Sequence, residues 1–194
     1  MSLPLEQDGD TAFAPAARAD EISLRLQRAE FLSDPTAASM LEAMPGPAMV
    51  LNSHRQIIAV NGQLVALVRG ADLDSILGKR PGELVQCIYA NERPGGCGTT
   101  EHCATCGAAN AIVEALATCG RSERECRIVT QGASDGGALD FRVHANHMRF
   151  GGESCVILGL TDISGEKRRQ VLERVFFHDL LNAVGGMHGL AELL

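Results

Sequence analysis

Cys87, Cys97, Cys103 and Cys106 fall within 20 residues of one another, set in Gly95-Gly96-Cys97-Gly98 and followed by Gly107. Four thiolates so spaced suit one metal site. The two-residue gap between Cys103 and Cys106 lets two sulfurs converge on one ion or cluster, and the glycines let backbone approach and donate N–H groups to sulfur. Zinc favours two CxxC-like knuckles, and this chain has one. Iron–sulfur clusters tolerate irregular spacing, so a cluster is the first expectation and structural zinc the alternative. His102 is available as a substitute ligand, although a surface position is the simpler expectation for it. Cys119, Cys126 and Cys155 stand singly, at a helix end and in strand patterns, and read as small apolar residues.

A second chemistry-bearing stretch is Phe176-Phe177-His178-Asp179-Leu180-Leu181-Asn182. Phe177, Leu180, Val184, Met187, Ala191 and Leu194 recur at alternating spacings of three and four, the seam of a coiled coil or helical bundle. His178 follows the first seam position and is turned about 100° from it, toward water. An imidazole so placed suits a phosphoryl acceptor, and Asp179 can orient or deprotonate it. On these residues alone, a solvated histidine on an amphipathic helix explains the pattern equally well.

Composition narrows the partners. The 194 residues are 45% hydrophobic, enough for one sizeable core with flanking helices. The net charge is −7 and the basic run is limited to Lys167-Arg168-Arg169, which disfavours nucleic acid as a partner. Glu6, Asp8 and Asp10 stand where a signal peptide would be basic, and no apolar run is long enough for a membrane span. A cytoplasmic protein without membrane contact is expected. Seven cysteines, an odd number, in a reducing compartment argue for ligands or free thiols over a disulfide framework.

The elements that must hold these residues follow from local pattern. Residues 1–19, rich in Ala and Pro, predict a mobile tail. A helix over 20–34 starts at the N-cap Asp20, runs through Ile22, Leu26 and Ala29, and stops before Pro35. Its apolar stripe suits either a second copy or its own domain. Strands are expected at Ala48 to Leu51 and Gln56 to Val60, around an Asn52-Ser53-His54-Arg55 turn, with Asn61 capping a short helix. Brief helices lead to a longer one at Ala108 to Ala117. Three more strands, Arg124 to Val129, Phe141 to Ala145 and Ser154 to Leu160, are separated by turns at Gly136-Gly137 and Gly151-Gly152. The class is α+β with a single antiparallel sheet and helices on one side, flanked by an N-terminal helix and a C-terminal coiled-coil or bundle helix.

Several segments together resemble a PAS sensor domain over residues 38–165: the lead-in Leu41-Glu42-Ala43-Met44-Pro45, Ile57-Ile58-Ala59-Val60-Asn61, and the exit Leu160-Thr161-Asp162-Ile163-Ser164. Residues 166–194 resemble the start of the phosphoacceptor domain of sensor histidine kinases, with Asp179 and Asn182 after His178 and Ala183 where the family commonly has Pro. The resemblance implies a cytoplasmic two-component kinase. Its PAS domain would sense redox state, oxygen or a ligand through the Cys-bound group, its signalling helix would transmit, and His178 would accept a phosphoryl group bound for a response regulator. It also implies a homodimer. The ATP-binding catalytic domain of that family is expected elsewhere, making this chain a truncated piece without kinase activity of its own. The competing expectation is a zinc-stabilised PAS-like dimerisation or binding module without phosphotransfer. Flavin is not favoured, because the Asn-Cys-Arg-Phe-Leu-Gln motif of the related light sensors is absent, and haem would have to rely on His144 or His147.

Overall fold

The computed structural model describes residues 11–68, 72–131 and 138–191, with the backbone alone for 183–191. The chain divides into two units, Met1–Thr161 and Asp162–Leu194. The first is built on a five-stranded sheet of β1 (Ala48–Asn52), β2 (Ile57–Val60), β3 (Arg121–Val129), β4 (Ala138–Phe150) and β5 (Glu153–Asp162), in the order β2-β1-β5-β4-β3. β1 pairs antiparallel with both β2 and β5, and β3 with β4. β4 turns into β5 at Gly151 and Gly152, both at positive φ, as a tight hairpin turn of two glycines requires. The expected Gly136-Gly137 turn lies outside the described residues.

Both faces of the sheet are covered, which is why all five residues of β1 are buried. Alternation along the strand sends Met49 and Leu51 one way and Ala48 and Val50 the other. On the first face, Met49, Leu51, Val143, Val156 and Leu158 pack against Leu64 of α3 (Gly62–Leu67), Ile76 of α4 (Leu73–Ile76), Leu84 of α5 (Pro81–Leu84) and Ile112 of α6 (Gly107–Thr118). On the second, Val50, Ile58 and Cys155 meet Leu24 and Phe31 of α1 (Glu21–Ser33) and Leu41 of α2 (Pro35–Glu42). Phe31 is fully buried, with its ring centroid 5.2 Å from that of Phe150.

Asp20 caps α1 through its side chain, as its residue type suggests, and Asp34 ends that helix while capping the next. Pro35 is therefore a start as well as a stop: it occupies the first turn of α2, a helix that periodicity does not reveal. Ile22 and Leu26, of the stripe expected to meet either a second copy or this domain, are 73% and 66% exposed, while Leu24 and Phe31 face the sheet. Asn61 caps α3 and is itself buried, its Oδ1 accepting from the backbone N–H of Leu64 and of Ala48.

Residues 11–19 differ from the mobile tail expected over 1–19. The Ala12 and Ala14 N–H groups donate to Thr99 and Gly98, Ala14 is buried, and the Ala19 N–H donates to Gln56. The strap is held by its main chain, which residue type does not announce. Residues 1–10 lie outside the described part. The second unit is α7 (Ser164–Ala191), whose first N–H is capped by Asp162 at 2.8 Å. Among the described residues, no helix is long and apolar enough to cross a membrane.

Candidate functional site

A cavity of about 210 Å³ opens between the sheet's helical face and the Cys segment, and Cys87, Cys97, Cys103 and Cys106 all line it. Each is placed by a different device. Cys87 is fixed by an isolated bridge to Thr130 just past β3, with the Ile88 N–H donating to Val129. Cys97 lies against Gly82 of α5, where an added Cβ would come 2.7 Å from its sulfur. Cys103 sits in a 3-10 turn, Glu101–Thr105, and its sulfur is 3.2 Å from both the Gly98 N–H and the Thr100 hydroxyl. The φ of +92° at Gly98 gives that N–H its direction. Cys106 is the N-cap of α6, and Gly107 lets the helix start so close to β3 that a Cβ there would strike the Glu125 carbonyl at 2.0 Å.

That close approach places Cys126, on β3, with its sulfur 3.6 Å from that of Cys106. Cys126 is buried, as expected of a small apolar residue, but its neighbour makes it part of the thiol group. Cys119 is exposed at the left-handed end of α6, and Cys155 is buried on the opposite face. Hydrogen bonding from Cys126, helped by the Ala109 and Ala108 N–H groups, pulls the Cys106 thiol down to about 6, and the same interaction pushes Cys126 up. Burial, reinforced by Cys103, pushes Cys97 up to about 12, and burial also raises Cys87.

Around the thiols runs a frame of arginines. Arg80 is 0% exposed and donates to six carbonyls: His54, Gly95, Cys97, Pro15, Ala16 and Ala17. It thereby ties the β1–β2 turn, the Cys loop and the N-terminal strap together. Desolvation, then the neighbouring Arg55 and Arg18, push it down to about 10, so it remains charged at neutral pH. Glu83 accepts from Arg18, from the Cys97 N–H at 3.1 Å and from the Arg80 N–H at 2.9 Å. Arg55 closes the β1–β2 turn in the left-handed region, at φ +64°. The turn is held by Asn52, whose Oδ1 accepts from the His54 and Gln56 N–H groups.

The donor set of four cysteine sulfurs fits an iron–sulfur cluster, and N–H···S bonds such as that from Gly98 are among the contacts that tune one. A tetrahedral zinc, with Zn–S about 2.3 Å, would draw its sulfurs to about 3.8 Å from one another. Among the described residues, no three His, Cys, Asp or Glu side chains converge that closely on a point. His102 reaches the cavity rim and stacks on Tyr89, ring centroids 3.9 Å apart. His144 faces Glu123 at 3.4 Å and His147 meets Ser154 at 3.3 Å; neither lines the cavity.

On α7, considered by itself, the His178 side chain is 72% exposed. Its Nδ1 is 3.3 Å from Asp179 Oδ1 and 3.2 Å from the Asn182 amide nitrogen. With Nδ1–H donated to the carboxylate, the lone pair is on Nε2, which lies 3.4 Å from the Asn182 amide nitrogen. Phe177 and Leu180 of the expected seam are exposed, together with Val171, Leu172, Val175, Phe176 and Leu181. The side chains of Val184, Met187 and Ala191, and Leu194 altogether, lie outside the described residues.

No protein-family model matches the sequence, and no curated protein matches it significantly. Solved structures are similar in fold. An RNA-binding Light-Oxygen-Voltage receptor matches 74% of this chain at 19% identity with a TM-score of 0.50, and the chain spans 37% of that receptor. The PAS domain of an HTR-like protein from Haloarcula marismortui matches 68% of this chain and 98% of its own, at 17% identity and a TM-score of 0.43. The PAS domain of nitrogen regulation protein NR(II) from Vibrio parahaemolyticus matches 65% and 96%, at 12% identity and a TM-score of 0.46. The sheet unit has the PAS fold, mixed α+β on one five-stranded antiparallel sheet.

Proposed function

We propose that this chain is the sensory portion of a cytoplasmic two-component histidine kinase. Its PAS-fold unit reads redox state, oxygen or a ligand through a group held by Cys87, Cys97, Cys103 and Cys106, and controls phosphorylation of His178. The observation that carries this reading is the convergence of the four cysteines on one cavity at the helical face of the sheet. The irregular spacing of the four, with a single CxxC pair, suits an iron–sulfur cluster better than a single zinc ion. When bound, the group supplies an electron-accepting centre, and the chain's own residues hold it, donate N–H groups to it and limit solvent access.

At the helix, His178 Nε2 attacks the γ-phosphorus of ATP presented by a kinase catalytic domain. The N–P bond forms, the bond to the bridging oxygen breaks, and ADP leaves, while Nδ1–H stays on Asp179. The phosphoryl group passes next to a response regulator, and Asn182 serves the opposing reaction, in which water takes the phosphoryl group off the regulator and inorganic phosphate leaves. The exposed apolar residues of α7 suit a second copy of the same helix, making the assembly a homodimer.

Two measurements test this. Chain purified without oxygen and reconstituted with ferrous iron and sulfide should turn brown and hold iron and sulfide in comparable amounts. A colourless protein with one zinc per chain would favour the binding-module alternative. Supplied with a histidine-kinase ATP-binding domain, His178 should acquire an acid-labile, base-stable label that His178→Gln abolishes; no label in either protein would remove the phosphotransfer half.

A further inference from the structure

The cavity wall holds more positive charge than its carboxylate balances. Arg55 and Arg80 both line it, Arg18 lies close to both, and Glu83 is the carboxylate acting on all three. Arg80 spends its donors on carbonyls. Arg55 does not. Its side chain is buried, the residue being 5% exposed, and Nη2 donates to the Pro15 carbonyl at 2.6 Å, yet Nε has no hydrogen-bond partner among the described residues.

An orphan N–H on a buried guanidinium is costly, and native proteins rarely leave one. The backbone at Arg55 adds to this, since it occupies the left-handed position that hairpin loops of this length usually give to glycine. Gly98 packs closely on that Nε, where an added Cβ would come within 3.1 Å. Burial pulls the Arg55 guanidinium below its ordinary value, with Cys97, Cys103 and Glu83 opposing that shift. A strained turn, a buried cation and an unused donor thus share one residue, and that residue faces the thiols.

We propose that Arg55 is the counter-charge of the group bound by the four cysteines. Its guanidinium, buried in the cavity wall, lies beside an anionic, thiolate-ligated iron–sulfur cluster, and its fixed charge raises the cluster's reduction potential. This rests on the cluster reading of the cavity and adds a residue that sets the poise of the sensor. Reduction by one electron makes the anionic cluster more negative by one charge, with no bond broken, so a buried cation beside it stabilises the reduced form over the oxidised form.

The test is a dithionite titration of reconstituted full-length chain under argon, with mediator dyes, following the visible absorbance of the cluster. Wild type, Arg55→Lys, Arg55→Gln and the control Arg124→Gln, which removes an exposed charge from β3, are compared at equal iron content. Arg55→Gln should titrate at a more negative potential than wild type, Arg55→Lys between the two, and Arg124→Gln with wild type. If Arg55→Gln does not hold the cluster, the shift of Arg55→Lys decides. Potentials that coincide in all loaded proteins would overturn the inference and leave the cluster reading intact, even if the melting temperature of the Arg55 variants fell through loss of the Pro15 bond. Failure of wild type to take up iron and sulfide would overturn the cluster reading and the inference with it.

Discussion

At the scale of single residues, the cavity gives each cysteine a different reactivity. Because hydrogen bonding from Cys126 pulls the Cys106 thiol below its ordinary value, it forms thiolate at lower pH than a free cysteine in metal-free protein. Its alkylation by iodoacetamide should set in at lower pH than that of a free thiol and fall off as the sulfur is protonated. Cys97, pushed up to about 12, should stay unlabelled through the neutral range; peptide mapping of the modified sites reads both. Gly82→Ala should displace the Cys97 sulfur from the cavity and lower the iron bound per chain without exchanging any ligand. The four cysteines lining the cavity were legible in the sequence because their spacing is a local property. Cys126 was not: its closeness to Cys106 depends on how Gly107 seats α6 against β3. Nor were Arg55 and Arg80, whose partners come from three separate segments.

At the scale of elements, alternation and capping carried most of the information. Asp20 and Asn61 cap the helices expected of them, and β1 and β2 form where alternation places them. β4 runs from Ala138 to Phe150, well beyond the expected Phe141 to Ala145, because pairing with β3 carries it from Ala138 to Asn146 and the hairpin with β5 carries it on to Phe150. α1 forms between Asp20 and Pro35 as expected, and Leu24 and Phe31 are the residues it turns toward the sheet, leaving the Ile22 and Leu26 side outward. Phe31→Ala should cost about 3–5 kcal/mol in chemical denaturation, as a fully buried phenylalanine at the α1–sheet contact. Ile22→Ala, on the exposed side, should cost little by comparison. On α7, Leu180→Glu should shift sedimentation toward monomer if the exposed apolar residues meet a second copy. Unchanged dimer in that variant would locate self-association elsewhere.

At the scale of the whole molecule, the strap at residues 11–19 makes the cavity a product of distant segments. Arg80 finds three of its six acceptors there, and Arg55 finds Pro15. Deleting residues 1–19 removes those acceptors from Arg55 and Arg80, which do line the cavity. The shortened chain should melt at lower temperature and, once reconstituted with iron and sulfide, release iron to a chelator faster than the longer chain; equal rates would show that the strap does not steady the cavity wall. A buried guanidinium left with unmet donors costs about 1–3 kcal/mol per lost charged hydrogen bond, so several such losses are large beside the stability of a domain.

The strap also bears on how this protein would look in a scan of single substitutions. Its attachments are main-chain atoms: the N–H groups of Ala12, Ala14 and Ala19 and the carbonyls of Pro15, Ala16 and Ala17. Replacing Ala12, Ala16 or Ala17 by another small residue leaves those atoms in place, so such a scan would score the positions as tolerant. Removing the same residues would strip Arg55 and Arg80, both in the cavity wall, of their carbonyl acceptors on the strap. Here tolerance to substitution and dispensability part company, and residues 11–19 are free to vary in letters while remaining indispensable as chain.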